Sequence, residues 1–231
     1  MELSNRLSRI SDMIPHNKVI ADIGTDHGQL PVFLVTKGQC PKAYAVDISK
    51  MSLSKAEGLV SSRGLANQII CRVSDGFDAL VEEAIEVGIM AGMGGMLMAS
   101  IIERPLPATL EHLVLSPQSD VDLVRRKLHD IGFRIDKEEM VEDEGKYYTV
   151  ILATRTGDVI SPYSALGYKY GQCLIDIKHP VLKDYLEKKL HKVMKLAKHL
   201  TLQVGECASA RQNEVDCEIR EIKEVLSWLI P

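Results

Sequence analysis

Short apolar runs alternate with amphipathic segments along the first two thirds of the chain. The runs are five to seven residues long and rich in Val, Ile, Leu and Ala, which predicts strands, and the segments between them have helical spacing. Strands that alternate with helices form parallel sheets, so we expect an α/β fold with a doubly wound sheet. The predicted strands are 18–24, 43–47, 69–73, 87–91 and 112–116, and the predicted helices are 3–14, 31–37, 52–62, 76–86, 95–103 and 120–131.

The pattern changes beyond residue 132. Residues 133–141 and 147–154 are strand-like runs joined by the charged segment 142–146, which predicts a hairpin that completes a seven-stranded, mostly parallel sheet. Residues 157–171 are rich in turn-forming residues.

Towards the C-terminus, apolar residues recur every three or four positions in two segments, with a break near Gly205–Gln212. Such seams predict two amphipathic helices that pack as a coiled-coil-like hairpin. We therefore expect a first domain of residues 1–160 and a helical hairpin of residues 161–231. The seam residues are Leu182, Leu186, Leu190, Val193, Ala197, Leu200 and Val204 in the first helix, and Val215, Ile219, Ile222, Leu226 and Leu229 in the second.

The charge and the cysteines narrow the class of protein. The 231 residues carry a formal net charge of −4, but residues 161–231 hold 11 basic and 9 acidic side chains, so positive charge is displaced towards the C-terminus. The five cysteines are scattered without a CxxC pair, so we expect neither a disulfide framework nor a metal site. The first residues lack the features of a signal peptide, and no segment is apolar for the length of a membrane span. A cytoplasmic location is therefore expected.

The loop after the first predicted strand contains the first candidate site. Asp22 and Gly24 end that strand and Gly28 precedes the next helix, so the backbone can turn tightly and approach a ligand. Asp47 ends the second strand, where a carboxylate can accept hydrogen bonds from both hydroxyls of a ribose. These features predict a nucleoside cofactor. The glycine spacing is not that of G-x-G-x-x-G, so a nicotinamide oxidoreductase is the least favoured alternative.

Three further loops follow predicted strands. Asp75 can accept a hydrogen bond from the exocyclic amine of an adenine, and residues 92–95 leave backbone groups bare where a substrate would lie. Gln118 offers both an amide donor and an acceptor at the same edge of the sheet. A turn or a helix cap is the structural alternative for Asp75 and Gln118.

Together these runs resemble the bacterial TrmK family, which comprises S-adenosylmethionine-dependent tRNA adenine-N1 methyltransferases that act on the adenosine at tRNA position 22. The resemblance extends from Leu3 to the C-terminal helices and implies a class I methyltransferase domain with a helical extension. The runs that resemble the family are Asp22-Ile-Gly-Thr-Asp-His27 with Leu30-Pro31, Ser74-Asp-Gly76, Ala91-Gly-Met-Gly-Gly95, Pro117-Gln118 and Lys146-Tyr-Tyr148. The residues expected to contact S-adenosylmethionine are Asp22, Gly24, Gly28, Asp47, Ile48, Asp75, Gly76, Gly92 and Met93.

The implied reaction suggests roles for three more residues. The ring nitrogen of adenine already has a lone pair, so positioning matters more than a strong base. The product ring is cationic until its exocyclic amine loses a proton, and a nearby carboxylate stabilises that charge. We expect Asp26 to do so, with His27 orienting the base or accepting the proton and Gln118 at the target pocket. The alternative is that Asp26 and His27 contact the cofactor or are structural.

Binding of tRNA requires contacts with phosphates, and two predicted helices carry suitable side chains. The alternative for lysines in a heptad pattern is a solvated helix face. The candidates are Arg6 and Arg9 on the first helix, and Lys188, Lys189, Lys192 and Lys195 on the hairpin.

Two other functions remain open on the sequence. A class I methyltransferase that acts on a protein or a small molecule would share the cofactor residues, and a catalytically silent nucleoside-binding module would keep the fold alone. A heptad seam closes equally well within one hairpin or between two chains, so monomer and homodimer are both open.

Overall fold

The computed structural model describes residues 2–200 and 206–230. The chain divides into two compact units, residues 1–162 and residues 163–231.

A seven-stranded sheet forms the centre of the first unit. Its strands are β1 (Ile20–Ile23), β2 (Ala43–Asp47), β3 (Ile69–Val73), β4 (Val87–Ala91), β5 (His112–Ser116), β6 (Phe133–Asp143) and β7 (Lys146–Arg155). They lie in the order β3-β2-β1-β4-β5-β7-β6. β1 to β5 are parallel, and β7 is antiparallel to both of its neighbours. The predicted fold class, including the closing hairpin, is confirmed.

Helices flank the sheet in the first unit and make up most of the second. The helices of the first unit are α1 (Asn5–Met13), α2 (Gln29–Thr36), α3 (Lys50–Ser62), α4 (Gly95–Ile102) and α5 (Val121–Asp130). Those of the second unit are α6 (Ala165–Tyr170), α7 (Gln172–Asp176), α8 (Pro180–Leu200) and α9 (Glu206–Leu229).

The position of the site follows from the strand order. β1 is buried along its whole length and β4 along all but its last residue, as expected for parallel strands covered on both faces. The sequence order of the strands reverses between these two neighbours. In open α/β sheets, ligands bind in the crevice at the carboxyl ends of the strands at such a reversal. The loops after β1 and β4 border that crevice.

One predicted helix of the first unit is wrong. Residues 76–86 contain only a short 3-10 helix, Asp78–Leu80. The hydroxyl of Ser74 accepts a hydrogen bond from the backbone N–H of Ala79 at 3.0 Å, which closes a turn instead of a helix. Leu80 and Ile85 are fully buried, so these apolar side chains pack an irregular connection against the core.

The break predicted between the two helices of the C-terminal hairpin, near Gly205–Gln212, is also wrong from residue 206 onward. α9 begins at Glu206, and side-chain pairs one turn apart support its first turns. Arg211 forms an ion pair with Glu214 at 2.6 Å, and the Gln212 amide donates to Asp216 at 3.0 Å. Gly205 lies outside the described residues, as does the seam residue Val204.

The predicted seams pack in the hairpin of the second unit. Leu182, Leu186 and Val193 of α8 are buried, as are Val215 and Ile222 of α9. The segment predicted as turn-rich contains α6 at its end, where the Ser164 side chain accepts the backbone N–H of Gly167 and caps the helix. Within the described residues, no helix has the length and the apolar character needed to traverse a membrane.

Candidate active site

A cavity of about 330 Å³ opens at the carboxyl ends of β1, β4 and β5. Seven of the predicted site residues line this cavity, and they come from four separate segments of the chain. Three were predicted for catalysis, three for cofactor binding and one for RNA binding. These residues are Asp26, His27 and Gln118, then Asp22, Gly24 and Gly92, and Arg6.

Asp22 is the buried charged side chain of this cavity. Its carboxylate accepts a hydrogen bond from the Thr25 hydroxyl at 2.7 Å, and the residue is only 5% exposed. Burial raises the pKa of the Asp22 carboxyl to about 6, with the Thr25 hydrogen bond lowering it and the charge of Asp47 raising it further. A cationic ligand group would stabilise the ionised form.

Asp26 and His27 are neighbours at the mouth of the cavity. The imidazole Nε2 of His27 lies 3.2 Å from the Asp26 Oδ2, and both side chains are about half exposed. Asp26 has a φ of +48°, a conformation that Asp and Asn adopt more readily than most residues. Both side chains are therefore accessible to a ligand, and their contact with a substrate stays a prediction.

Asp47 connects the loop after β1 to the loop after β2 by hydrogen bonds. Its Oδ1 accepts the backbone N–H of Ser49 at 2.7 Å, and its Oδ2 accepts the backbone N–H of Asp26 at 3.3 Å. A carboxylate has about four acceptor positions, so the oxygens retain capacity for ribose hydroxyls. Ile48, the next residue, is 69% exposed and offers an apolar surface beside them.

Asp75 follows β3 and is held by an arginine that sequence reasoning missed. Arg104 lies just beyond α4 and donates to Asp75 at 3.1 Å and to Asp78 at 2.9 Å. Its guanidinium also lies 2.7 Å from the place that a Cβ on Gly76 would take. The ion pair fixes the loop while leaving the second oxygen of Asp75 for an adenine amine. No local sequence signal links two residues 29 positions apart.

The glycine-rich loop after β4 packs against the loop after β5. The backbone N–H of Gly92 donates to the Ser116 carbonyl at 3.3 Å, and that of Gln118 donates to the Met93 carbonyl at 3.0 Å. A Cβ on Gly95 would overlap the Ser119 carbonyl oxygen and lie 2.6 Å from the Asp120 carbonyl oxygen. Close backbone approach therefore explains this glycine, and the two loops form one wall of the cavity.

Arg6 reaches this wall from α1. Its guanidinium carbon lies 5.0 Å from the centre of the Tyr148 ring, and its Nη1 lies 3.5 Å from the position of a Cβ on Gly92. Its backbone N–H contacts Asp143 at 3.4 Å. The Nη1 is buried and has no hydrogen-bond partner among the described residues. Sequence reasoning placed Arg6 on an RNA-binding helix, and the structure places its side chain in the cavity.

The other residues predicted to contact the cofactor are not among those that line this cavity. Gly28 caps the start of α2 and packs against Ala56. The Met93 methyl carbon lies 2.9 Å from the position of a Cβ on Gly24, so it covers the first loop. Asp75 and Gly76 follow β3, two strands away from β1.

The basic candidates differ in their surroundings. On α8, Lys189 forms an ion pair with Glu218 at 2.8 Å inside the hairpin, whereas Lys188 pairs with Asp184 along the helix surface. Lys192 and Lys195 are exposed and form no ion pair with any residue that the structure describes. On α1, Arg9 pairs with Asp12 at 3.5 Å, away from the cavity.

Comparison with known proteins adds the class of chemistry. The family model for the methyltransferase domain matches residues 3–151, which contain every element that lines the cavity. The chain belongs to the methyltransferase domain family. Among the described residues of this methyltransferase, no cluster of three or more His, Cys, Asp or Glu side chains is arranged to hold a metal.

Similar proteins extend the match to the whole chain. The tRNA (adenine(22)-N(1))-methyltransferase of Bacillus subtilis is 29% identical over 100% of this chain and 98% of its own length. The crystal structure of the B. subtilis m1A22 tRNA methyltransferase TrmK superposes with a TM-score of 0.85 at 27% identity, covering 97% of this chain and 99% of that chain. The Streptococcus pneumoniae protein Sp1610, solved in complex with S-adenosyl-L-methionine, gives a TM-score of 0.86 at 29% identity over 97% of this chain and 100% of its own. The resemblance inferred from the motifs is confirmed.

Proposed function

We propose that this methyltransferase transfers a methyl group from S-adenosylmethionine to N1 of adenosine 22 in tRNA, giving 1-methyladenosine. The observation that carries the proposal is the full-length similarity to the B. subtilis adenine-22 enzyme, combined with a cavity lined by the motifs that the similarity predicts. The match covers both units, so it includes the hairpin as well as the catalytic fold.

The residues of the cavity, together with those of the loops after β2 and β3, fit S-adenosylmethionine. Asp47 holds the ribose and Ile48 packs against the adenine, while Asp75, oriented by Arg104, accepts from the exocyclic amine. At the other end of the cofactor lie two buried polar groups, Asp22 and the Nη1 of Arg6. The Nη1 has no hydrogen-bond partner among the described residues, so a polar group of the cofactor would supply one. When bound, the cofactor supplies an electrophilic methyl group on a sulfonium.

The target adenine meets the residues at the mouth of the cavity. Asp26 lies beside the reacting ring and stabilises the positive charge that develops there on methylation. His27, 3.2 Å from Asp26, orients the base or accepts the proton that the exocyclic amine then loses. Gln118 positions the base by its amide from the wall of the cavity. N1 must be unpaired to react, so the base enters the cavity unstacked.

The exposed basic residues of the two units supply the phosphate contacts. We assign this role to Lys192 and Lys195, which form no ion pair with any described residue. Lys188 and Arg9, each paired with an aspartate on its own helix, are the next candidates. Lys189 is engaged within the hairpin and contributes mainly to its stability.

Transfer of labelled methyl groups to tRNA tests the function. Full-length protein is incubated with labelled S-adenosylmethionine and an unmodified tRNA transcript, and the digest is analysed for methylated nucleosides. We expect 1-methyladenosine with the adenosine-22 transcript and none with a matched transcript that has guanosine at position 22. Methylation that persists in the second transcript would overturn the position, and labelling of protein alone would overturn the substrate.

A further inference from the structure

The first turn of α4 exposes large apolar side chains. Met96 is 69% exposed and Leu97 is 52% exposed, whereas Met98 and Ile102 of the same helix are buried. A surface helix normally presents polar side chains to water, but the other exposed residue of α4 is Ser100, and its hydroxyl donates to the Leu97 carbonyl at 2.8 Å. The exposed side of α4 therefore offers apolar contact area and no charge.

The glycine-rich loop connects these side chains to the cavity. Gly92 lines the cavity and Met96 follows it by four residues, so their Cα atoms are at most about 14 Å apart. The backbone N–H of Gly95 donates to the Ser119 carbonyl at 3.0 Å, which fixes the direction in which α4 begins. Met96 and Leu97 therefore form an apolar edge next to the cavity, beyond the carboxyl end of β4.

The composition of this segment indicates which part of an RNA the apolar edge contacts. Residues 91–102 contain no charged side chain, so they supply no charge to neutralise phosphates. Nucleobases, in contrast, have flat faces that stack on one another and accept apolar side chains between them. The edge is continuous with the cavity that would hold the target adenosine, so the bases next to that adenosine are the partner that it fits.

We propose that Met96 and Leu97 form a wedge that takes the place of the target adenine in the RNA stack. The inference rests on the proposed methylation of tRNA. An adenine that enters the cavity leaves its neighbours unstacked, which is unfavourable. Apolar side chains such as Met and Leu can insert between bases and cover the faces that unstacking exposes. The wedge stabilises the unstacked state and touches none of the reacting atoms, so Met96 and Leu97 are positioning residues.

Fluorescence of 2-aminopurine at position 22 of a tRNA transcript tests the wedge without methyl transfer. Stacking quenches this base, so its fluorescence rises when it leaves the stack. We expect the full-length protein, saturated with S-adenosylhomocysteine, to raise the signal several-fold, and Met96→Ala/Leu97→Ala to lose most of this rise. Both positions are exposed and Ala favours helices, so the double variant should keep its fold and its affinity for S-adenosylhomocysteine.

Single-turnover methylation distinguishes a wedge from general damage to the site. The double variant should methylate the unmodified transcript about ten- to a hundredfold more slowly than the wild type. In a transcript with abasic nucleotides at positions 21 and 23, there is no stacking for the wedge to replace, and the two proteins should react at similar rates. Met96→Leu/Leu97→Met keeps the apolar volume and should retain the wild-type rate on both transcripts.

Met51→Ala is the matched control. Met51 is 76% exposed at the start of α3, which follows β2, and β2 and β4 lie on opposite sides of β1. Removing this exposed methionine should leave both the fluorescence rise and the rate of methylation unchanged.

Three results would overturn the proposal. If the double variant matches the wild type in fluorescence and rate, no wedge acts at these positions. If it is slowed equally on both transcripts, the two side chains only shape the loop. If the wild type sediments as a dimer and the double variant as a monomer, the apolar edge is an interface between two copies of the chain. Absence of 1-methyladenosine with the wild-type protein would instead contradict the proposed function, so the two failures are distinguishable.

Discussion

Asp22 is subject to two opposing effects at the scale of a single residue. Burial raises the pKa of its carboxyl from the ordinary value to about 6, and this effect exceeds that of the Thr25 hydrogen bond. The folded protein therefore holds a proton that the unfolded chain releases between about pH 4 and pH 6. A cationic ligand group would offset the cost of burying the ionised carboxylate.

This difference predicts a pH-dependent loss of stability. As the pH rises through that window, Asp22 lowers the free energy of unfolding of the ligand-free protein by up to about 3 kcal/mol. Asp22→Asn should remove that part of the pH dependence, as measured by urea unfolding at pH 4.5, 5.5 and 7.5. The exposed Asp12→Asn variant serves as the control and should keep the wild-type slope. If the free energy of unfolding depends on pH equally in Asp22→Asn and the wild type, burial of Asp22 is not the cause of that dependence.

The same residue predicts how cofactor affinity depends on pH. In the proposed complex the ammonium group of the cofactor lies at the ionised carboxylate of Asp22, so the affinity for S-adenosylhomocysteine should fall as the pH drops below about 6. In calorimetric titrations the fall should approach tenfold per pH unit, and Asp22→Asn should bind weakly with little dependence on pH over the same range. An unchanged pH profile in the variant would rule out the contact.

Asp26 gives a test of chemistry that leaves the backbone intact. Asn tolerates the φ of +48° observed at this position, and the backbone N–H bond to Asp47 does not involve the Asp26 side chain. Asp26→Asn should lower the single-turnover rate of methyl transfer to tRNA by about a hundredfold, because the carboxylate charge beside the cationic ring is lost. Its affinity for S-adenosylhomocysteine should stay within twofold of wild type. If the variant transfers methyl groups at the wild-type rate, the Asp26 carboxylate takes no part in the reaction and has only a structural role in the loop.

At the scale of elements, the wall formed by the loops after β4 and β5 depends on one close backbone contact. A Cβ on Gly95 would lie 2.6 Å from the Asp120 carbonyl oxygen, and backbone atoms move only if the loops separate. Gly95→Ala should therefore destabilise the protein by a few kcal/mol in urea unfolding and weaken cofactor binding.

A second glycine provides the matched control. Gly58 lies within α3, and a Cβ at this position would have no neighbouring atom within 4 Å, so Gly58→Ala should stabilise the protein by about 0.5–1 kcal/mol. If both alanine variants change stability by the same amount and sign, the close contact at Gly95 is not what requires glycine there.

The elements show which parts of the site were predictable from sequence. Strand ends carry a local signal, a short apolar run closed by Asp or Gly, and the sheet brings those ends to one edge. The location of Asp22, Asp47 and Asp75 at that edge was therefore predictable, and their contacts with a cofactor stay predictions. Arg104 was missed because its pairing with Asp75 depends on the approach of distant segments. The helix expected at 76–86 failed because buried apolar residues in an irregular connection can mimic helical spacing.

Lys189 shows the same limit in the hairpin. Its position in the heptad pattern resembles that of Lys188, yet Lys189 contacts Glu218 and lies 5.9 Å from the ring centres of both Tyr170 and Tyr185. Side chains on one helix that look alike in sequence differ once a second helix covers one side of it. The lysines most suited to RNA contact are therefore identified by their surroundings in the structure.

At the scale of the whole molecule, a net charge of −4 must be reconciled with the proposed binding of tRNA, a polyanion. Long-range attraction cannot come from the overall charge, so affinity for tRNA depends on local groups of unpaired basic side chains. Lys192 and Lys195 lie on α8 three residues apart, within one helical turn, and are exposed. Such contacts release counterions, which makes the affinity depend steeply on salt.

Replacing both lysines should therefore change the salt dependence as well as the affinity. Lys192→Gln/Lys195→Gln should bind tRNA more weakly at low salt, and the slope of log affinity against log salt should become shallower by about two. Cofactor affinity should not change. Lys189→Gln is the matched control: it removes a contact within the hairpin and should lower the free energy of unfolding while leaving the slope near that of wild type. If the double variant and the wild type have the same slope, these lysines only solvate the helix, and the phosphate contacts must come from other basic residues, with Lys188 and Arg9 the next to replace.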